Sequence, residues 1–298
     1  MSELLAVVVD GIIYSSWLFI IAVGLTLIYG VMKILNLAHG SFYALGAYGA
    51  ATLVGRWLAG GHAPFGSYAM LLIAAVLVGV VVGPLLERGL LRHLYGKDET
   101  VLVLVTYAVF LILEDVIKLV WGVEAYVVSE PYGLLGSFSI GDLVYPVYSA
   151  ALVLVSLLVG LGFALALKGT RQGKLLTAVI HDREMSAAMG IDVQRVYLVT
   201  FTIGTTLAAV GGALTAPTVS VVPGMGVEVI VLAFAVVVTG GLGSFAGAAL
   251  GALIVGLVRS AAVHYFPAVE LFSVYVVMAL VLLLRPKGLF SALEARKI

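Results

Sequence analysis

Long apolar runs, cut by short polar interruptions, occupy nearly the whole chain. Seven of them, near 11–31, 40–57, 67–87, 100–121, 143–167, 197–217 and 245–262, reach the roughly 17–25 residues that a helix needs to cross a bilayer. Two weaker runs lie near 227–240 and 269–284. The first of these is short and follows Pro217, Pro223 and several glycines, a pattern that leaves a full span, a half-span and a re-entrant segment all open. Only one interruption is long. It extends from Lys168 to Arg195 and carries Lys168, Arg171, Lys174, Asp182, Arg183, Glu184, Asp192 and Arg195, eight of the chain's 32 charged residues.

At the centre of that island, Ala178 to Gly190 reads as a short helix. Asp182 can cap its start by accepting from free first-turn amides, and Gly190 can close it in the left-handed conformation. Met185, Ala188 and Met189 then share one face by i, i+3, i+4 spacing. A capped helix of small and flexible residues outside the membrane suits being gripped by another protein.

Composition sharpens the class. The chain is 62% hydrophobic and 11% charged, with mean hydropathy +1.18, so it has too few charges to cover a soluble surface. The expected fold is all-α, one polytopic membrane domain over residues 1–298 with eight or nine transmembrane helices. Zero net charge gives no pull toward nucleic acid, and the absence of cysteine excludes disulfides, thiolate metal sites and a cysteine nucleophile. Met1 to Asp10 carries only Glu3 and Asp10 as charges, without the basic region of a cleaved signal, so the first run is expected to be a permanent span.

Charge asymmetry predicts orientation. Nine crossings with the N-terminus outside and the C-terminus cytoplasmic place Lys33, then Arg88, Arg92 and Lys97, the five basic residues of 168–195, and Arg285, Lys287, Arg296 and Lys297 inside. That is 13 of the 16 Lys and Arg, as the positive-inside rule requires. Arg56, Lys118 and Arg259 fall at outer helix ends, and the segment 122–142, with Glu124, Glu130 and Asp142 but no Lys or Arg, falls outside.

Several polar positions are candidates for chemistry. Between the first two runs, Asn36 or His39 can cap the next helix and satisfy its orphan amides. A structural turn is one reading; a broken helix lining a substrate path, through Asn36, His39, Gly40 and Ser41, is the other. Gly40-Ser-Phe is echoed at Gly243-Ser-Phe, each opening a glycine-rich run, which extends the candidate path to Gly243 and Ser244 and hints at an internal repeat. Gly46, Gly49, Gly55, Gly247, Gly251 and Gly256 suit close helix packing. Glu114 and Lys118 have favourable i, i+4 spacing in the fourth run, and Glu114 or Asp115 could serve an ion-coupled carrier. Gly169-Thr-Arg-Gln-Gly-Lys-Leu175 has one residue too few for a nucleotide loop, the Gly241–Gly247 glycines lack a βαβ context, and the five His show no metal-ligand spacing. No catalytic, cofactor or metal site is therefore expected.

The stretches Ile28-Tyr-Gly-Val-Met-Lys-Ile-Leu-Asn-Leu-Ala-His-Gly40, Leu111-Ile-Leu-Glu-Asp-Val-Ile-Lys-Leu-Val-Trp-Gly122, Gly240-Gly-Leu-Gly-Ser-Phe-Ala-Gly247 and Arg285-Pro-Lys-Gly288 resemble the permease subunits of branched-chain amino-acid ABC importers of the LivH type, in order along the chain. The resemblance implies a multi-pass prokaryotic cell-membrane subunit without its own ATP site, forming half of a translocation path. It implies a homologous second permease, two cytoplasmic ATP-binding subunits and an extracellular binding protein as partners. It also makes Ala178, Asp182, Arg183, Glu184, Ala187 and Gly190 the ATPase-coupling residues. Similar permeases serve urea or short amides, so those substrates stay open, as do a secondary carrier and a non-transporting scaffold.

Overall fold

The computed structural model describes residues 2–290. In order, the elements are α1 (Ser2–Met32), α2 (His39–Ala59), α3 (Ser67–Gly89), α4 (Glu99–Trp121), α5 (Glu130–Gly133), β1 (Ser137–Ile140), β2 (Leu143–Pro146), α6 (Val147–Gly169), α7 (Arg171–His181), α8 (Arg183–Ala188), α9 (Val193–Thr215), α10 (Met225–Gly240), α11 (Phe245–Tyr265) and α12 (Glu270–Leu284). Every apolar run contains a helix, although the one near 143–167 opens with β2, so the architecture is the expected helical membrane bundle. By length and composition α1, α3, α4, α6, α9 and α11 can each cross a membrane, whereas α10 and α12 are shorter at 16 and 15 residues.

α9 is the central helix. It packs against α1, α2 and α3, while α1 also lies along α11 and α6, and α10 fits between α2, α11 and α12. Small residues make these approaches possible. A Cβ added to Gly24 of α1 would lie 2.7 Å from the Gly204 carbonyl oxygen of α9, so two backbones meet there without an intervening side chain. Further out, α3, α4, α6 and α12 present Leu85, Leu119, Leu165 and Leu283 outward. Such uniformly apolar outer surface suits hydrocarbon, where every backbone group is already satisfied within its helix.

All the described Lys and Arg except Arg56, Lys118 and Arg259 gather at one end of the bundle; Arg296 and Lys297 lie outside the described residues. Links across that end include a hydrogen bond from Arg92 to Gln194 and the edge-on pair Tyr95–Tyr197 at 4.9 Å.

One local expectation is corrected and another segment gains structure that its charges did not signal. Ala178–Gly190 is not one helix: α7 ends at His181, and Asp182 is extended (φ −153°, ψ 105°) before α8 begins. The Asp182 amide still closes α7 by donating to Ala178, while its carboxylate starts α8 by accepting from the Met185 amide at 2.8 Å. The segment 122–142, expected only to lie outside, contains α5, and its end forms an antiparallel hairpin with β2 in register Ser137↔Pro146 to Ile140↔Leu143, turning at Gly141-Asp142. Four-residue strands are too short for their alternation to stand out from the apolar runs around them.

Candidate functional site

At the basic end, α7 and α8 form an elbow between α6 and α9. Thr170 starts α7 by accepting from the Gly173 amide at 3.0 Å. α7 is amphipathic: Gly173 lies against the α6 backbone at Ala166 and Leu167, and Val179 is 3% exposed in a cluster with Ile28 and Val31 of α1 and Tyr197 and Phe201 of α9. Across Gly190, at φ +82°, the Ile191 amide reaches back to the Ser186 carbonyl at 3.0 Å, which closes α8 with the left-handed residue that glycine adopts without a Cβ penalty. Asp192 then caps α9 through the Arg195 amide at 3.0 Å. The guanidinium of Arg183 stands 5.5 Å from the Tyr197 ring centre. Asp182, Arg183, Glu184, Ala187 and Gly190 are all exposed and Ala178 is half-buried; Met185 of α8 and Met189 at its C-cap are 60% and 75% exposed. Behind the elbow, a groove of about 590 Å³ is lined by Phe163, Leu167, Arg171, Asp192, Arg195 and Val199.

In the interior, one stripe of α4 holds irregular backbone in place. The Thr106 hydroxyl donates to the Leu35 carbonyl at 3.1 Å and accepts from the Leu37 amide at 3.3 Å. Four residues on, the Phe110 carbonyl accepts from the Ser41 hydroxyl at 3.2 Å. Four further on, the Glu114 carboxylate accepts from the Gly224 amide at 3.1 Å. These positions occupy the middle third of a 23-residue helix about 34 Å long. Both α2 and α10 therefore begin deep within the bundle, where their orphan amides have no water to turn to. Their first turns touch, Gly40 against Gly226.

Asn36, His39, Gly40 and Ser41 are all fully buried at this junction. Neither Asn36 nor His39 caps α2: its N-cap is Ala38, with no side-chain bond. Instead His39 Nε2–H donates to the Ile21 carbonyl of α1 at 3.0 Å, while Nδ1 and both polar atoms of Asn36 are buried without a protein partner. Gly243 and Ser244 lie apart from these four, at the α10–α11 turn beside Gly30; Ser244 caps α11 by accepting from the Gly247 amide at 3.1 Å. The echoed serines thus do different work. The expected Glu114–Lys118 pair does not form, because Glu114 turns inward to Gly224 and Lys118 pairs with Asp115 at 3.2 Å.

At the end opposite the basic cluster a second cavity, about 600 Å³, is lined by Tyr14, Trp17, Tyr43, Thr215, Glu228 and Arg259 among others. Tyr14 and Trp17 meet edge-on at 4.9 Å, and the Tyr43 and Thr215 hydroxyls bond at 2.6 Å. The Arg259 guanidinium stands 4.1 Å from the centre of the Tyr14 ring, and its Nε donates to Glu270 at 2.6 Å. No sequence motif marks these residues; the one available signal was an arginine near an apolar helix end with an acid 11 residues later. On α1, Trp17 lines this cavity and Leu27 lines the groove at the basic end, about 15 Å apart along the helix. Between them Ile20 to Leu25 are buried, and His39 is bonded to Ile21. The two spaces share no lining residue.

A family described as "branched-chain amino acid transport system / permease component" matches residues 7–284. The chain is 28% identical to the high-affinity branched-chain amino acid transport system permease protein BraD of Pseudomonas aeruginosa, over 97% of this chain and 96% of that one. It is also 28% identical to LivH of Escherichia coli K12 over the same shares. It is 29% identical to a probable LivH of Methanocaldococcus jannaschii, over 94% of this chain and 90% of that one. No solved structure matches the chain significantly. A helical bundle with a separate cavity at each end, matched along nearly its whole length, belongs to the branched-chain amino acid transport permease family.

Proposed function

We propose that this permease forms half of the translocation path of an ATP-driven importer for branched-chain amino acids, working with a homologous second permease, two cytoplasmic ATP-binding subunits and an extracellular binding protein. The basic end faces the cytoplasm, with the N-terminus outside, following the positive-inside rule. The observation that carries the reading is the elbow. α8 is capped at both ends, exposes Met185 and, at its C-cap, Met189, and is joined through the Asp192 cap to α9, the helix that packs on α1, α2 and α3. A subunit that grips α8 moves α9 directly. The buried section between the cavities then supports alternating access rather than an open pore, with Asn36, His39, Gly40 and Ser41 as its barrier.

Reconstitution tests this. Proteoliposomes holding the chain with its cognate ATPases and second permease should take up leucine when ATP and loaded binding protein are supplied, insensitively to a protonophore. Uptake by this chain alone, or uptake abolished by the protonophore with ATP present, would replace the importer with an ion-coupled carrier working through Glu114. A panel including urea and short amides fixes the substrate. Because the chain lacks cysteine, a single Met185→Cys substitution reports sidedness: it should label only from the cytoplasmic face.

A further inference from the structure

The cavity opposite the basic end carries one group of each sign, and the coupling scheme uses neither. Arg259 is held by Glu270 and by the face of Tyr14, an arrangement that fixes a guanidinium inside an apolar bundle. Glu270 engages Nε and one terminal nitrogen. A guanidinium has five N–H donors, so Arg259 retains donors for a second carboxylate. Glu228 stands in the first turn of α10, where the helix dipole favours an anion, and it makes no ion pair among the described residues. Glu228 and Arg259 line the same space as Tyr14, whose ring faces the guanidinium. Trp17, Val229 and Leu232 supply an apolar face to the same space.

We propose that this cavity is a transit site for an α-amino acid in its zwitterionic form: Arg259 donates to the carboxylate, Glu228 accepts from the ammonium, and Trp17, Val229 and Leu232 face an aliphatic side chain. A volume of about 600 Å³ falls within the ~300–1,000 Å³ usual for small-molecule sites. A neutral amide or urea offers the two charges only hydrogen bonds, whereas a zwitterion meets each with an opposite charge as well. Binding here is weak by design, since a transit site must release what it takes. The inference rests on the amino-acid importer reading above and deepens it.

The test is direct binding of leucine to the assembled importer in nanodiscs, without binding protein, followed by saturation-transfer NMR. Leucinamide, which lacks the carboxylate, and isocaproate, which lacks the ammonium, serve as probes. Leucine should bind at least about tenfold more tightly than either analogue, as a lost charge-assisted hydrogen bond implies. Glu228→Gln should weaken leucine about tenfold and erase the preference over isocaproate alone. Arg259→Gln should erase the preference over leucinamide alone. That crossed pattern is one a merely misfolded variant cannot give, and Glu228, without an ion pair, is the safer substitution. Analogues binding as tightly as leucine, or both variants keeping wild-type selectivity, overturn the site. If the wild-type importer takes up leucine while the variants bind it normally, only the site falls and the importer stands. If the wild-type takes up no amino acid, both fall.

Discussion

Val179→Ala isolates the attachment of the elbow to the bundle. The Val179 side chain is 3% exposed and belongs to the cluster shared by α1 and α9. Truncation removes two methyl groups, worth about 0.8 kcal/mol each in transfer, and leaves a residual cavity that adds to the loss. The expected cost is about 2 kcal/mol, or about 30-fold in the docked-to-undocked ratio of α7. Leu176 and Ile180, also packed on the cluster, keep the docked state populated, so the variant remains folded. Hydrogen exchange is the assay. Amides at the end of α7, including that of Asp182, which donates to Ala178 at 3.0 Å, should exchange about 30-fold faster, while α9 amides beyond Phe201 should not change. Transport per ATP hydrolysed should fall in parallel. Unchanged exchange in α7 would mean that its docking does not depend on Val179, and the lever argument would lose its mechanical link.

Gly190→Val places a β-branched residue at φ +82°, where L-residues pay about 1–2 kcal/mol; exchange across 183–192 should rise and coupling fall, whereas Gly190→Asn should be far milder, as both readouts can check. The Asp98 carboxylate caps α4 by accepting from the Thr100 amide at 2.8 Å, and the hydrogen bonds from Thr100 hold its pKa below the ordinary carboxylate value. A depressed carboxylate contributes stability above its unfolded pKa and loses that contribution as pH falls through the folded one. The first-turn amides of α4 should therefore fray only in that acidic window, and Asp98→Asn, which keeps an acceptor, should flatten the pH dependence measured by exchange.

The length of the apolar runs made the membrane helices legible because a bilayer sets the length of a span and admits no lipid-exposed irregular backbone. The capping logic was equally visible at Asp182 and Gly190, where one side chain and one φ determine the outcome. What the sequence hid was depth. Ala38 at the N-cap of α2 carries no signal, and the buried start of α10 depends on Glu114, a residue 110 positions away. Local spacing paired Glu114 with Lys118, but a buried backbone amide competes more strongly for a carboxylate than an exposed lysine does. The cavity at Arg259 was hidden for the same reason: the stretch from Thr215 to Leu232 forms most of its wall, but Tyr14 and Trp17 of α1, Tyr43 of α2 and Arg259 of α11 complete it from distant parts of the chain.

α9 joins these separate features. Its first turn continues from the elbow through the Asp192 cap. At mid-length Gly204 meets Gly24, whose neighbour His39 helps close the section between the cavities. At its far end the Thr215 hydroxyl bonds Tyr43 on the wall of the opposite cavity. A 23-residue helix of about 34 Å thus contacts the lever, the barrier and the site in turn. Packed interfaces are bistable rather than continuously deformable, so a shift at one end is passed on as a repacking. The glycine contacts along α9 matter here, because backbone against backbone offers no flexible side chain to absorb the movement. On the proposed reading, this explains how a subunit with no nucleotide site of its own can have its path opened by work done on six residues at its edge.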